Sequence, residues 1–342
     1  MMNLSDQPSK YYHESAITKF AAYGNLYRLR HDDSSVTYFN FSEEPRTVNG
    51  QYTTGFNYSY SVTFDFEENF DTYFYIDWMS QYHWVCNFFI FAYLSFIFLM
   101  QKYMKNRERF ELRTQLAVWN ICLAVFSTIG AIRTSLEMLH LLNTYGFKFC
   151  VCFSGKTFLD NRVGGFWNWM FTLSKVPELG DTVFIVLRKQ PLIFLHWYHH
   201  VTVLLYAWYS YSDYIATARW FVCMNYLVHS VMYSYYALKA LKFKVSRYVA
   251  MFITTAQLAQ MIMGAAVNIW AYQVKQAGNE CHVSYENIKI SLIMYTSYFV
   301  LFAHFFRRAY MKKPVTTDQK PITNGVSNGA YHYDKSKKGK FE

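Results

Sequence analysis

The sequence is short of charge. Only 16% of its 342 residues are Asp, Glu, Lys or Arg, where a soluble chain of this size carries about a quarter, so an ordinary water-soluble globule is excluded. Its six cysteines form no CxxC pair, which excludes a metal site built on that pattern. No apolar run lies near the N-terminus. The first begins near residue 78, too late and too long for a cleaved secretory signal. What the chain does have is apolar bulk, 53% hydrophobic and 21% aromatic.

That bulk is grouped. Runs free of charge, with His counted as neutral, cover 78–101, 114–132, 190–212, 220–238, 248–274 and 290–306, and a seventh stretch, 163–187, is interrupted only by Lys175, Glu178 and Asp181. A bilayer-crossing helix takes about 20 residues, so the pattern predicts an all-α integral membrane protein with seven transmembrane helices. Basic residues alternate between the connections. "KYMKNRERFELR", "LRKQP", "LKALKFKVSR" and "FFRRAYMKK" follow the first, third, fifth and seventh spans, while the connections after the fourth and sixth hold almost no Lys or Arg. The basic set faces the cytosol by the positive-inside rule. The connection after the second span, with Lys148, Lys156 and Arg162, fits least well. The net charge of +10 thus marks the cytosolic face, and nucleic acid is not an expected partner.

Three regions follow. Residues 1–75 form a polar lumenal extension whose Asn3, Asn40 and Asn57 head glycosylation sequons. Residues 76–311 hold the seven helices. Residues 312–342 form a disordered cytosolic tail ending "KSKKGKFE", where Lys338 and Lys340 have the spacing of a dilysine retrieval signal for the endoplasmic reticulum. Cys86, Cys122 and Cys223 lie within spans as packing residues. Cys150, Cys152 and Cys281 fall in lumenal loops, where a bridge is chemically allowed. Cys152–Cys281 is the preferred pair, and the spacing alone leaves the pairing open.

Ionisable groups inside a bilayer are costly and mark function. In "KVPELGDT" (175–182), Lys175, Glu178 and Thr182 share a helix face and Pro177 should kink the chain. A self-neutralising Lys–Glu pair would leave Asp181 unexplained. In "FLHWYHHVTVLL" (194–205), His196, His199 and His200 occupy one narrow stripe. In "NYLVHSVMYSYY" (225–236), Asn225, His229, Met232, Tyr233 and Tyr236 form another, and Thr254, Gln257 and Gln260 a fourth, which could equally be interhelical glue. Arg133 and Glu137, at i and i+4, read as a structural pair with each other. Four polar stripes imply helices around one chamber whose apolar remainder suits a lipid-like tail.

Three chemistries compete. A di-iron desaturase or hydroxylase needs about eight His ligands, whereas beyond the box and His229 the remaining seven of the 11 His are scattered. A seven-helix receptor would have no use for the charged third span, and the seventh span has neither proline nor an NPxxY-like element. An acyltransferase or condensing enzyme fits best, because a neutral imidazole can attack a thioester or accept a proton and no cysteine lies on a polar stripe.

In order and spacing, the KxPExxDT segment at 175–182, the HxxHH box at 196–200, the NxxxHxxMYxYY segment at 225–236 and TxxQxxQ at 254–260 resemble the motif set of the ELO fatty-acid elongases. The resemblance covers about 64 to 312. It is nearest the palmitate-elongating branch, through "LRKQPLIFLHWYHHVTVLLYAWYSY", "SRYVAMFITTAQLAQMIMG" and "RERFELR". It implies an endoplasmic-reticulum 3-oxoacyl-CoA synthase that condenses long-chain acyl-CoA with malonyl-CoA, without further cofactor or metal. The implied fold places the second to seventh helices as a barrel around an acyl tunnel, with the first helix peripheral. Substrates would be saturated, monounsaturated or branched chains of about sixteen carbons or fewer, and the partners the reductases and dehydratase of the elongation cycle. By motif position His199 would accept the acyl group, with His200 as base or orienting partner and His196 and His229 beside them; alternatively His199 only moves or polarises a proton. Asn225, His229 and Tyr235 would serve the enolate and thioester, although Tyr235 leaves the stripe of an ideal helix. Glu178, Asp181, Tyr233 and Gln257 complete the substrate set, and Lys175, Arg188 and Arg308 are expected toward the mouth, facing CoA phosphates. Lysines that some members carry just before TxxQxxQ are missing from "YVAMFI".

Overall fold

The computed structural model describes residues 26–29, 37–40, 58, 60–153 and 161–311. Two short strands, β1 (Leu26–Leu29) and β2 (Thr37–Asn40), pair antiparallel, an addition to the all-α expectation. The remaining regular structure is helical. α1 (Thr72–Met104) passes through a 3-10 turn at His83–Val85. It is followed by α2 (Arg113–Cys152), α3 (Arg162–Ser174), α4 (Gly180–Leu187), α5 (Phe194–Asp213), α6 (Ala218–Ala240), α7 (Arg247–Gln276) and α8 (Tyr285–Phe306), with a π turn at Arg307–Met311.

Among the described residues four helical segments are long and apolar enough to cross a membrane: α1, α2, α7 and α8 with its π turn. The other three apolar stretches coincide with α3–α4, α5 and α6. There the chain is broken or carries polar side chains, because these elements hold the site. Pro177, which has no N–H to donate, opens a 3-10 turn at Pro177–Leu179 between α3 and α4. Side chains of Asn161, Ser246 and Ser284 cap α3, α7 and α8 by accepting from backbone amides of Gly164, Tyr248 and Asn287.

Packing neighbours run α2–α6–α7–α8–α5–α3 and back to α2, and α1 lies against α4 and α5. The α2–α6 seam is close because of Gly130. A Cβ there would stand 2.5 Å from the Tyr226 ring, so only glycine lets the two backbones approach. The Tyr226 hydroxyl then donates to the Trp167 carbonyl at 3.0 Å and ties α6 to α3.

Two readings of the sequence are corrected. Cys150 and Cys152 are not in a loop but on the last turns of α2, because Gly146, at φ 78°, turns the chain and lets it resume as helix. Arg133 does not pair with Glu137. Its guanidinium donates to Glu67 at 2.7 Å and to the Val62 carbonyl at 2.7 Å, because the segment before α1 folds back and brings a carboxylate in better geometry than the i+4 neighbour. Glu67 also accepts from Trp167 Nε1 at 2.6 Å and the Phe64 amide at 3.1 Å. Tyr60 donates to the Arg133 carbonyl at 3.1 Å. Asn3, Asn57, Lys338 and Lys340 lie outside the described residues, and Asn40 ends β2.

Candidate active site

Two arrays of polar side chains meet inside the bundle. The first is centred on Glu178, in the 3-10 turn that Pro177 opens. Lys175 Nζ donates to Glu178 Oε1 at 2.7 Å and to Asn225 Oδ1 at 3.1 Å, and lies 4.2 Å from the Phe171 ring centroid. Ser174 donates to the same carboxylate oxygen at 2.9 Å. Asn225 Nδ2 meets His229 Nε2 at 3.2 Å, and His229 Nδ1 stands 3.9 Å from Glu178 Oε2, an oxygen with no hydrogen-bond partner. Lys175, Glu178, Asn225 and His229 are all buried.

The second array is the histidine box on α5. His196 Nε2 is 2.9 Å from Thr182 Oγ1, which is 2.8 Å from the Tyr93 hydroxyl of α1. The first helix, α1, expected at the periphery, reaches the box through Tyr93. The His196 and His200 rings lie 4.5 Å apart, His199 and His200 5.5 Å, and His199 is 4.9 Å from the Tyr298 ring of α8. His200 Nδ1 is buried without a partner. Backbone geometry at His199 is fixed by Tyr298, whose hydroxyl donates to the His199 carbonyl at 3.3 Å and lies 2.6 Å from Thr202 Oγ1.

His199, Asn225 and Gln260 share one cavity. Its volume is about 50 Å³, so it is narrow. Beyond these three the walls are mostly apolar and aromatic, with Phe171, Val203, Phe221 and Tyr295 among them and Asn168, Thr172 and Ser210 interspersed, and Tyr211, Tyr214, Ile215 and Ala218 also line it. Along α5, His199 to Tyr211 spans about 18 Å at the helical rise. A slot with a polar head and a long apolar body suits a linear acyl chain whose reacting carbonyl rests at the histidine.

Other expected site residues lie elsewhere. Asp181 accepts from Trp119 Nε1 at 2.7 Å and from the Tyr233 hydroxyl at 2.8 Å, so it joins α2, α4 and α6 and does not line the cavity. Tyr233 acts through that bond, beside the His229 ring at 5.3 Å. Lys175 is not at a mouth: the carboxylate three residues on and Asn225 draw it inside, at 2% exposure. Arg188 ends α4 half-buried and Arg308 is exposed on the π turn; neither lines the cavity. Tyr235 packs against Tyr236 and is not on the His229 face. Gln257 donates to the Met232 sulfur at 3.4 Å, and it is Gln260, one turn on, that enters the cavity. Tyr298, Tyr93 and Trp119 went unnoticed in the sequence because nothing sets them apart among 31 Tyr and 9 Trp; their partners are distant in the chain. The sulfurs of Cys152 and Cys281 are bonded. Among the described residues no group of three or more His, Cys, Asp or Glu could hold a metal ion.

Comparison with known proteins gives a consistent set. The model of the ELO family, described as GNS1/SUR4, matches residues 78–318. A Drosophila melanogaster protein named very long chain fatty acid elongase 6 is 54% identical over 74% of this chain and 80% of its own length. The human protein of the same name is 52% identical over 73% of this chain and 93% of its own. A Caenorhabditis elegans protein, putative fatty acid elongase 3, is 45% identical over 75% of this chain and 79% of its own.

Proposed function

The chain belongs to the ELO family of membrane-bound fatty-acid elongases, and we propose that it catalyses the condensing step: long-chain acyl-CoA and malonyl-CoA give 3-oxoacyl-CoA, CO2 and CoA. The observation that carries this reading is His199 standing with Asn225 and Gln260 at the polar head of a narrow apolar cavity. The His199 imidazole attacks the thioester carbonyl, the C–S bond breaks, and the proton the ring loses on acylation goes to the sulfur of CoA, which leaves as the thiol. Malonyl-CoA then loses CO2. The resulting enolate carbon attacks the acyl-imidazole carbonyl, forming the C–C bond as the C–N bond breaks, and the released ring nitrogen takes a proton from water to return as imidazole. Developing negative charge on the enolate oxygen calls for fixed donors, and the Asn225 amide and His229, already oriented by Lys175 and Glu178, supply them. His200, buried with its ring 5.5 Å from that of His199, orients its neighbour.

In this reading all seven helical rods cross the membrane of the endoplasmic reticulum, with the N-terminus lumenal and the C-terminus cytosolic. The ring of packing neighbours from α2 to α8 is the barrel, and the cavity is its acyl tunnel. An extended chain advances about 1.25 Å per carbon, given C–C bonds of about 1.5 Å, so about 18 Å beyond His199 holds roughly fourteen carbons. That supports acyl groups of about sixteen carbons or fewer, straight or branched. The test is malonyl incorporation in microsomes containing the full chain, supplied with labelled malonyl-CoA and a panel of straight and branched acyl-CoAs. Incorporation by wild type and none by His199→Ala is expected. No incorporation with any acyl-CoA by folded protein would overturn the reading.

A further inference from the structure

The far end of the cavity is closed by an unusual piece of chain. α5 is followed by its C-cap Tyr214, which takes a left-handed conformation at φ 48°, one that tyrosine rarely adopts. The turn from there to Thr217 leads directly into α6. Tyr214 and Ile215 line the cavity end, with Ala218 just beyond the turn. Short local bonds close its ends, the Tyr214 amide to the Tyr211 carbonyl at 3.1 Å and the Ala218 amide to the Ile215 carbonyl at 3.2 Å, and contacts with its neighbours add to them.

Those neighbours form a single tethered path. The Ala216 amide donates to the His282 carbonyl at 2.8 Å, and the His282 amide donates to the Cys152 carbonyl at 2.8 Å. Cys281, the residue before His282, is bonded through sulfur to Cys152 at the end of α2. A few residues on, Ser284 Oγ and Asn287 Nδ2 donate to Asp213 Oδ2 at 3.1 and 3.4 Å, gripping the last residue of α5. Ile215 is 2% exposed and packs in the same buried cluster as Cys152, Cys281 and Val283. The α7–α8 connection thus pins the turn on both sides and is itself covalently fixed to α2.

We infer that Ile215 is the floor of the acyl slot and that the Cys152–Cys281 bridge, acting through the His282–Ala216 hydrogen bond, is the positioning element that keeps this floor at a fixed depth and so makes acyl-length selection sharp. The inference rests on the acyl-slot reading of the cavity. Its consequence differs from that of an ordinary structural staple: loosening the bridge alters which chain lengths are accepted, and enlarging the floor residue shortens them without touching the bridge.

The experiment uses the purified full chain in detergent and reads two quantities along a series of saturated acyl-CoAs differing by two carbons. One is the rise in melting temperature on binding, which needs no turnover; the other is malonyl incorporation. Both are expressed as the ratio between the acyl-CoA two carbons longer than the wild-type optimum and the optimum itself. Ile215→Ala should raise that ratio by about tenfold, the scale of one or two methylenes in an apolar pocket, and Ile215→Trp should move the optimum to shorter chains. Cys152→Ala with Cys281→Ala should bring the ratio toward one by broadening the profile. If the double variant does not fold, the two Ile215 variants decide. Length profiles unchanged in monodisperse Ile215→Ala and Ile215→Trp proteins would overturn the inference, as would a sharp wild-type profile in the folded double-alanine variant. Failure of the condensing reading looks different: wild type then binds acyl-CoA with a length optimum but incorporates no malonyl unit.

Discussion

Glu67 and Glu178 are both buried carboxylates held by a cation in the same apolar bundle, yet their surroundings differ in kind. Each oxygen of Glu67 is occupied: Oε1 accepts from Trp167, and Oε2 from Arg133 and the Phe64 amide. Glu178 crowds its donors, Lys175 and Ser174, onto Oε1 and leaves Oε2 without a partner, with His229 3.9 Å away. The first arrangement has nothing left to offer a substrate and pins the segment before α1 onto α2 and α3. The second sits beside a cavity with bonding capacity to spare, and His200 Nδ1 in the neighbouring box shares that property. Buried unpaired polar atoms cost stability, and they also occur away from the cavity, as at Glu137 Oε1 and Asn268 Oδ1. Between these two cation-paired carboxylates, the fully paired one is structural and the incompletely paired one lies beside the site.

The comparison can be broken from either side. The largest effect is expected for Glu67→Ala, which leaves the half-buried Arg133 with only the Val62 carbonyl to accept from it and the Trp167 Nε1 without its acceptor; removing one partner of a buried pair costs up to about 3–5 kcal/mol. Thermal unfolding in detergent should show a large drop in melting temperature, while turnover per folded molecule stays near wild type. A selective loss of turnover with unchanged melting would place Glu67 in the chemistry. Next comes Glu178→Gln. An amide keeps an acceptor for Lys175 and Ser174 but leaves the buried Lys175 ammonium without its counter-charge, so melting should fall as well, and elongation per folded molecule should drop by about 10²-fold, the scale of a lost acid–base partner. Equal activity would show that the spare oxygen is idle. Tyr233→Phe leaves Asp181 with Trp119 alone and should cost about 1–3 kcal/mol of stability, the penalty of an under-satisfied buried group. Calorimetry that finds no change would detach Asp181 from the frame. Smallest is Tyr298→Phe, which removes hydroxyl contacts to Thr202 and the His199 carbonyl and should cost about 0.5–1.5 kcal/mol, seen as a modest melting shift with a larger change in kcat than in KM.

How far the sequence led depends on the range of the interaction concerned. Lys175 and Glu178 are three residues apart, and the histidine box lies within one turn and a half, so helical periodicity was enough to group them. Pro177 announced the break between α3 and α4 for the same local reason. Partnerships across the bundle were hidden: Trp119 with Asp181, Tyr93 with Thr182, and Arg133 with Glu67 are each more than sixty residues apart. For Arg133 the local rule gave the wrong partner, because an i+4 carboxylate competes poorly with one brought in by the chain folding back. Gln257 and Gln260 illustrate a finer limit. Both belong to the same polar face, and only packing against α6 decides that Gln257 meets Met232 while Gln260 reaches the cavity.

In the proposed mechanism His199, at the head of the slot, takes the acyl group covalently. The most direct test of this step is to mix the purified full chain with a long-chain acyl-CoA in the absence of malonyl-CoA, quench rapidly, and read intact mass and then peptide mass. The account predicts one acyl group added, mapped to the peptide holding His199, discharged on adding malonyl-CoA and absent in His199→Ala. An active enzyme that never gains acyl mass, or gains it equally in the His199→Ala protein, would contradict it.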